Sequence, residues 1–256
     1  MSKGERSELR AWSRFGYDRV YVGSADGESV GYLDLSDGRV HVVEGHTEDE
    51  VLVPLARVLP DSRRERLLTP WRDLARNEPG ASLRGLDGQG YRKGMEGEQR
   101  TAGMLSVAQN FGYRLLHSLP LTETADLDHL VVGPTGVFAI NTKATGYRVR
   151  FDGHSVLVDG YEKNWRDSAA HGAALASQRL SAATRMDVRA YPLVAVWSPF
   201  DIETEPEGVE VPVVAAEKVL GPITARSKAF DPAWCEAVYA VARRSDTWDP
   251  QAHADF

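Results

Sequence analysis

The chain is expected to fold as a mixed α/β (α+β) protein in two parts. A small β-meander with one helix occupies residues 1–80, a Gly-rich linker residues 81–94, and a larger domain residues 95–256 with a central mixed sheet flanked by helices. Three observations predict this. Short apolar runs alternate around Asp26-Gly27 and Asp37-Gly38, and both pairs are hairpin signals. Two apolar runs flank Gly133-Pro134-Thr135-Gly136, a turn signal between two buried strands. The near-continuous apolar run Tyr191–Trp197 reads as a central strand covered on both faces, and it follows a long helical segment.

In the first part, 19–23, 30–35 and 39–43 are the expected strands. Thr47-Glu48-Asp49-Glu50 reads as a capping box, the Thr47 hydroxyl serving the first amides and Glu50 reaching back. The helix it opens carries Val51, Leu52, Leu55, Val58 and Leu59 on its packed side. Residues 77–94, rich in Gly and polar side chains, suit a linker or a loop draped over the second part.

The second part opens with an amphipathic helix over 95–110, with Ala102, Leu105 and Ala108 on one side. A strand near 113–118 follows, then the hairpin strands 127–133 and 137–143, then a short hairpin at 149–151 and 156–158. A helix spans 163–184, strands cover 191–197 and 209–214, and Asp231-Pro232 caps a last helix running to Arg244.

Composition narrows the function. Hydrophobic content of 42% and charged content of 26% suit a globular domain, and no run approaches a membrane span. The N-terminus lacks the apolar stretch of a signal peptide, so a cytoplasmic location is expected. One cysteine, Cys235, excludes an internal disulfide framework and a cysteine zinc site. A net charge of −7 argues against a protein that coats nucleic acid non-specifically. The arginines between Arg57 and Arg92 are diluted by acids and read as a mixed, solvated surface.

The hairpin carries the chemistry. Its turn lies at one end, so Asp128 and the Asn141–Lys143 stretch meet at the other. An acid and a lysine at a sheet end suit a cation held beside a scissile phosphate; a plain surface Asp–Lys pair is the alternative. Asp126 shares the strand face of Asp128 and reads as a solvated acid or an extra carboxylate. His129 projects to the opposite face as a packed or hydrogen-bonded side chain. His171 and Gln178, on one face of the long helix, are candidate accessory residues.

Gly94-Met95-Glu96-Gly97-Glu98, then roughly thirty residues later Leu127-Asp128-His129-Leu130-Val131-Val132-Gly133-Pro134-Thr135-Gly136-Val137-Phe138, then Thr142-Lys143, resembles the NERD (nuclease-related) domain over about 91–214. That family is placed in the PD-(D/E)xK nuclease superfamily. The resemblance implies a restriction-endonuclease-like core and puts the family's glutamate, aspartate and lysine on Glu98, Asp128 and Lys143. The second acid of the superfamily pattern is here Asn141, whose amide carries no charge and cannot act as a base. The implied activity is a Mg²⁺- or Mn²⁺-dependent nuclease acting on DNA, and similar Asn-Thr-Lys versions occur among bacterial proteins resembling this one. Glu98, Asp128 and the Thr142 main-chain carbonyl would be the metal ligands, with Asn141 and Lys143 beside them. A module that binds nucleic acid or a protein partner without turnover is the alternative. A homo-oligomer, or a partner bound through the N-terminal part, also fits.

Overall fold

Residues 8–14, 17–34, 39–58, 72–83, 88–122, 125–204 and 209–248 are described in the computed structural model. The chain divides into two units, Met1–Arg72 and Asp73–Phe256. The first is an antiparallel meander of β1 (Glu8–Arg14), β2 (Tyr17–Gly23), β3 (Ser29–Asp34) and β4 (Arg39–Val42) in sequential order. Strand β1 is an addition to the strands expected from the sequence. Gly27 has φ +83, as the β2–β3 turn requires; Asp37-Gly38 lies outside the described residues. Helix α1 (Glu48–Val58) lays Val51 and Leu55 on Val22, Val30 and Leu33.

The cap of α1 differs from the expected box. Glu50 does reach back to the Thr47 amide, at 2.6 Å. The Thr47 hydroxyl, however, donates to that same carboxylate at 3.1 Å and accepts from no backbone amide among the described residues. A charged acceptor outcompetes the geometry of a neutral cap.

The second unit begins at Asp73, inside the segment assigned to the first part. Leu74 is fully buried in its core, and the Asp73 carboxylate binds the Arg243 guanidinium. Helix α2 (Gln89–Ser106) starts within the expected linker and ends in a 3-10 turn, Val107–Phe111. The remaining elements are β5 (Arg114–Pro120), β6 (Asp126–Gly133), β7 (Gly136–Ala144), β8 (Val149–Phe151), β9 (Val156–Val158), β10 (Tyr161–Lys163) and α3 (Trp165–Thr184). They continue with β11 (Ala190–Trp197), β12 (Glu203–Thr204), β13 (Val213–Ala215), α4 (Leu220–Thr224) and α5 (Pro232–Ala242). The α5 cap is as expected: the Asp231 carboxylate accepts from the Trp234 amide at 2.8 Å.

The central sheet has the order β13-β11-β7-β6-β5. β11 runs parallel to both β7 and β13, whereas β5, β6 and β7 run antiparallel to their neighbours along the chain. The step from β7 to β11 is therefore a crossover, made through β8, β9, β10 and α3; β12, after β11, joins the small sheet in the order β10-β9-β8-β12. Leu130, Val132, Val137 and Ala139 bury one face with Ala173, Ala176 and Leu180 of α3 and Val238 of α5. Val131, Phe138, Ile140 and Leu193 bury the other with Leu105 of α2 and Ile223 of α4. Each fully buried side chain of this size contributes about 1.5–3 kcal/mol, which holds the sheet end rigid where the polar residues gather. Among the described residues no helix is long and apolar enough to cross a membrane.

Candidate functional site

The β6–β7 ladder is regular from Gly133↔Gly136 to His129↔Ile140 and stops there. One residue further, the Asp128 carboxylate turns onto the backbone of the neighbouring strand and accepts the Thr142 amide hydrogen at 2.5 Å. On its other side the β5–β6 ladder skips the Ser118/Asp128 pair, where Ser118 adopts φ +47. Asp128 thus sits in a gap between strands and is only 8% exposed. It lies at a strand end, yet it is buried.

Glu98 comes from α2. Gly97 lets that helix approach, because a Cβ there would meet the Ala144 Cβ at 3.0 Å and Trp197 at 3.4 Å. The Trp197 indole donates to the Gly97 carbonyl and the Thr101 hydroxyl, both at 2.9 Å, pinning α2 to the end of β11. Glu98 is then buried, and its carboxylate accepts the Gly80 amide at 3.0 Å. Gly80 belongs to the 77–94 segment, read as a linker or as a loop draped over the second part, and its contacts are those of the draped loop. That segment is anchored on β5: Asn77 donates to the Ser118 carbonyl and the Ala81 amide to the Ser118 hydroxyl.

The acids feel one another. Burial, then the charges of Asp128 and Asp126, push Glu98 up to about 8 against an opposing pull from Gly80 and Lys143. Burial likewise raises Asp128 to about 6, opposed by Lys143 and the Thr142 amide. Glu98, Asp126, Asp128 and Lys143 therefore share one electrostatic site. Asp126 is no freely solvated acid: its Oδ2 is buried and has no hydrogen-bond partner. The Asn141 Oδ1 is the other buried side-chain atom without one among the described residues.

Behind this cluster a neutral histidine pair fills the sheet. The Nδ1 atoms of His117 and His129 lie 2.8 Å apart, and the His129 Nε2 lies 3.1 Å from the Thr142 hydroxyl. Burial lowers His117 to about 4 and holds His129 well below its ordinary value. The expectation of a packed, hydrogen-bonded His129 agrees. His171 and Gln178 are exposed on α3 and make no hydrogen bond among the described residues, so nothing ties them to the cluster. Trp165 and Trp234 pack on buried clusters, and Trp197 is buried.

The donor set suits a cation. Two buried acids with raised affinity for protons and two unpartnered buried oxygens, Asp126 Oδ2 and Asn141 Oδ1, fit a positively charged ligand. Among the described residues no three His, Cys, Asp or Glu side chains group to hold a metal ion on their own. The amides of Gly80 and Thr142, which orient the two carboxylates, were invisible in the sequence. The hairpin brought the Asn141–Lys143 stretch to Asp128, but which amide the carboxylate takes depends on the gap in the ladder, and no motif spacing marks Gly80.

Residues 93–196 match the family model described as the nuclease-related domain, NERD. No curated protein and no solved structure matches the chain. The matched segment begins on α2, takes in the β6–β7 hairpin and ends on β11, so it contains Glu98, Asp126, Asp128, Asn141 and Lys143. The resemblance to the nuclease-related (NERD) domain read from the sequence is thus matched by the family model over residues 93–196.

Proposed function

We propose that the chain is a metal-dependent nuclease that hydrolyses phosphodiester bonds in DNA. The observation that supports this most is the sharing of one electrostatic site by three acids and Lys143 at the frayed end of the β6–β7 hairpin. Glu98 and Asp128 are the carboxylates that would hold Mg²⁺ or Mn²⁺, together with the Thr142 carbonyl and the Asn141 Oδ1. Water would complete an octahedral oxygen shell, as Mg²⁺ prefers. Such an ion, once bound, lowers the pKa of a water and neutralises phosphate oxygens. The Thr142 amide fixes the Asp128 carboxylate in one orientation, and the Gly80 amide does so for Glu98. The Lys143 ammonium opposes the charge that builds on the phosphate oxygens in the transition state. Asn141 adds an oxygen without charge, so the site gathers less negative charge than one with an acid there.

Asn141 also favours a second reading, a nuclease fold that binds nucleic acid or a protein partner without turnover. One experiment separates them: cleavage of labelled DNA in Mg²⁺ or Mn²⁺ by the wild type, Lys143→Ala and Asp128→Asn. Asparagine is used because Asp128→Ala would leave the buried Thr142 amide unpaired, costing about 1–3 kcal/mol of stability. Cleavage by the wild type and its loss in both variants is the expected result. Wild-type cleavage by Lys143→Ala would sink the assignment, and DNA binding without cleavage in any metal favours the second reading.

A further inference from the structure

Beside the candidate site, two loops carry exposed aromatic rings among basic side chains. The chain leaves β7 at Ala144, opposite Trp197, and runs through Thr145 and Gly146 to Tyr147, which is 59% exposed. It leaves β11 at Trp197 and reaches Phe200, 41% exposed. The two loops are clipped together. The Thr145 amide donates to the Trp197 carbonyl at 2.9 Å, and the Ser198 hydroxyl to the Tyr147 carbonyl at 3.0 Å. Within the loops, the Tyr147 amide donates to the Thr145 hydroxyl and the Phe200 amide to the Ser198 hydroxyl. The rings are therefore presented by an ordered backbone.

Three cations border them. The Arg148 guanidinium lies 5.0 Å from the Phe200 ring centre, and that of Arg100 lies 3.6 Å from the Trp197 ring. The Lys93 ammonium lies 3.9 Å from where a Cβ on Gly146 would stand. All three residues are exposed, and among the described residues none of the three side chains makes a hydrogen bond or an ion pair.

We propose that this shelf of Tyr147, Phe200, Arg148, Arg100 and Lys93 binds an unpaired nucleic-acid strand leading to the candidate site. The proposal rests on the nuclease reading and narrows its substrate to a single strand. Open aromatic faces stack on bases, but a duplex keeps its base faces covered inside its own stack. The cations would take the backbone phosphates. Lys143 stands at the root of the loop bearing Tyr147, so a strand on the shelf runs past the acids.

The test uses the full chain in EDTA, so that binding is read without cleavage. Labelled oligothymidylate, oligouridylate and a DNA duplex of equal length are titrated by fluorescence anisotropy. Either single strand should bind more tightly than the duplex, and the tighter of the two identifies the sugar. Tyr147→Ala with Phe200→Ala should weaken single-strand binding roughly tenfold or more, whereas Tyr147→Phe should bind as the wild type does. Lys93→Ala and Arg148→Ala should each flatten the dependence of log K on log salt by about 0.7. Unchanged affinity in the double alanine variant, with its circular dichroism intact, overturns the proposal, as does duplex binding equal to or tighter than single-strand binding. Parallel assays in Mg²⁺ keep the two readings apart. Cleavage by a wild type whose binding ignores the rings leaves the nuclease and removes the shelf. Ring-dependent binding without cleavage in any metal keeps the shelf and removes the nuclease.

Discussion

Replacing Glu98 by Gln should stabilise the metal-free protein, and more so as pH rises. The Glu98 carboxyl is held up to about 8 in the folded chain, against an ordinary 4.5. A carboxyl raised on folding keeps its proton in the folded state while the unfolded chain has lost it. Stability is therefore drained as pH rises from 4.5, and the loss is complete only above about 8. Each tenfold difference in proton affinity between the folded and unfolded chain is worth about 1.4 kcal/mol. Solvent reaching part of the carboxylate, and rearrangement of the neighbouring acids, reduce the whole gap to roughly 1–3 kcal/mol. Glutamine removes the charge and keeps an oxygen for the Gly80 amide. For a protein of this size each kcal/mol moves Tm by about 2–4 °C, so the gain at pH 8 is about 2–12 °C, with little change at pH 4. The assay is thermal unfolding by circular dichroism in EDTA at both pH values. Millimolar Mg²⁺ should then raise the wild-type Tm at pH 8 and leave Glu98→Gln nearly unmoved. A variant that melts at or below the wild type at pH 8 in EDTA would refute the account of a buried, mutually repelling carboxylate.

Asn141→Glu replaces the orphaned amide oxygen of Asn141 with a full negative charge, so calorimetry should show tighter Mg²⁺ or Mn²⁺ binding with turnover held or raised. A fall in both would mean that the added carboxylate pairs with Lys143. Gly133→Ala would put a Cβ 2.0 Å from a Tyr113 ring carbon. The ring must move and give up its 2.9 Å bond to the Thr135 hydroxyl, a loss of about 2 kcal/mol or more. An unchanged denaturation midpoint would contradict that close fit.

The elements that were legible in the sequence are those whose signal is local. The Gly-Pro-Thr-Gly turn with its two apolar flanks became β6 and β7, the apolar run at 191–197 became β11, and Asp231-Pro232 capped α5. Helix α2 begins earlier than expected because Gly90, Gly94 and Gly97 speak against a helix by propensity. Tertiary contact outweighs that cost: Leu83 leaves Gly94 little room for a side chain, and Gly97 sits against Ala144. The short strand β10 and the first strand β1 lack a strong alternation, and pairing with a neighbour makes them strands.

The sequence by itself singled out the candidate residues, because a hairpin's turn dictates which residues meet at its open end, and it placed them in the one segment that matches the nuclease-related family model. It also showed that the position two before Lys143 holds a neutral amide. Only the tertiary structure decided how the acids are kept. Asp128 is buried in a gap between strands with the Thr142 amide on its carboxylate, and Glu98 is bound by Gly80 from the segment read as a linker or a draped loop. Asp126 joins them as a third interacting charge instead of a solvated one. These contacts depend on burial and on the local irregularity of the ladders, and a linear pattern encodes neither.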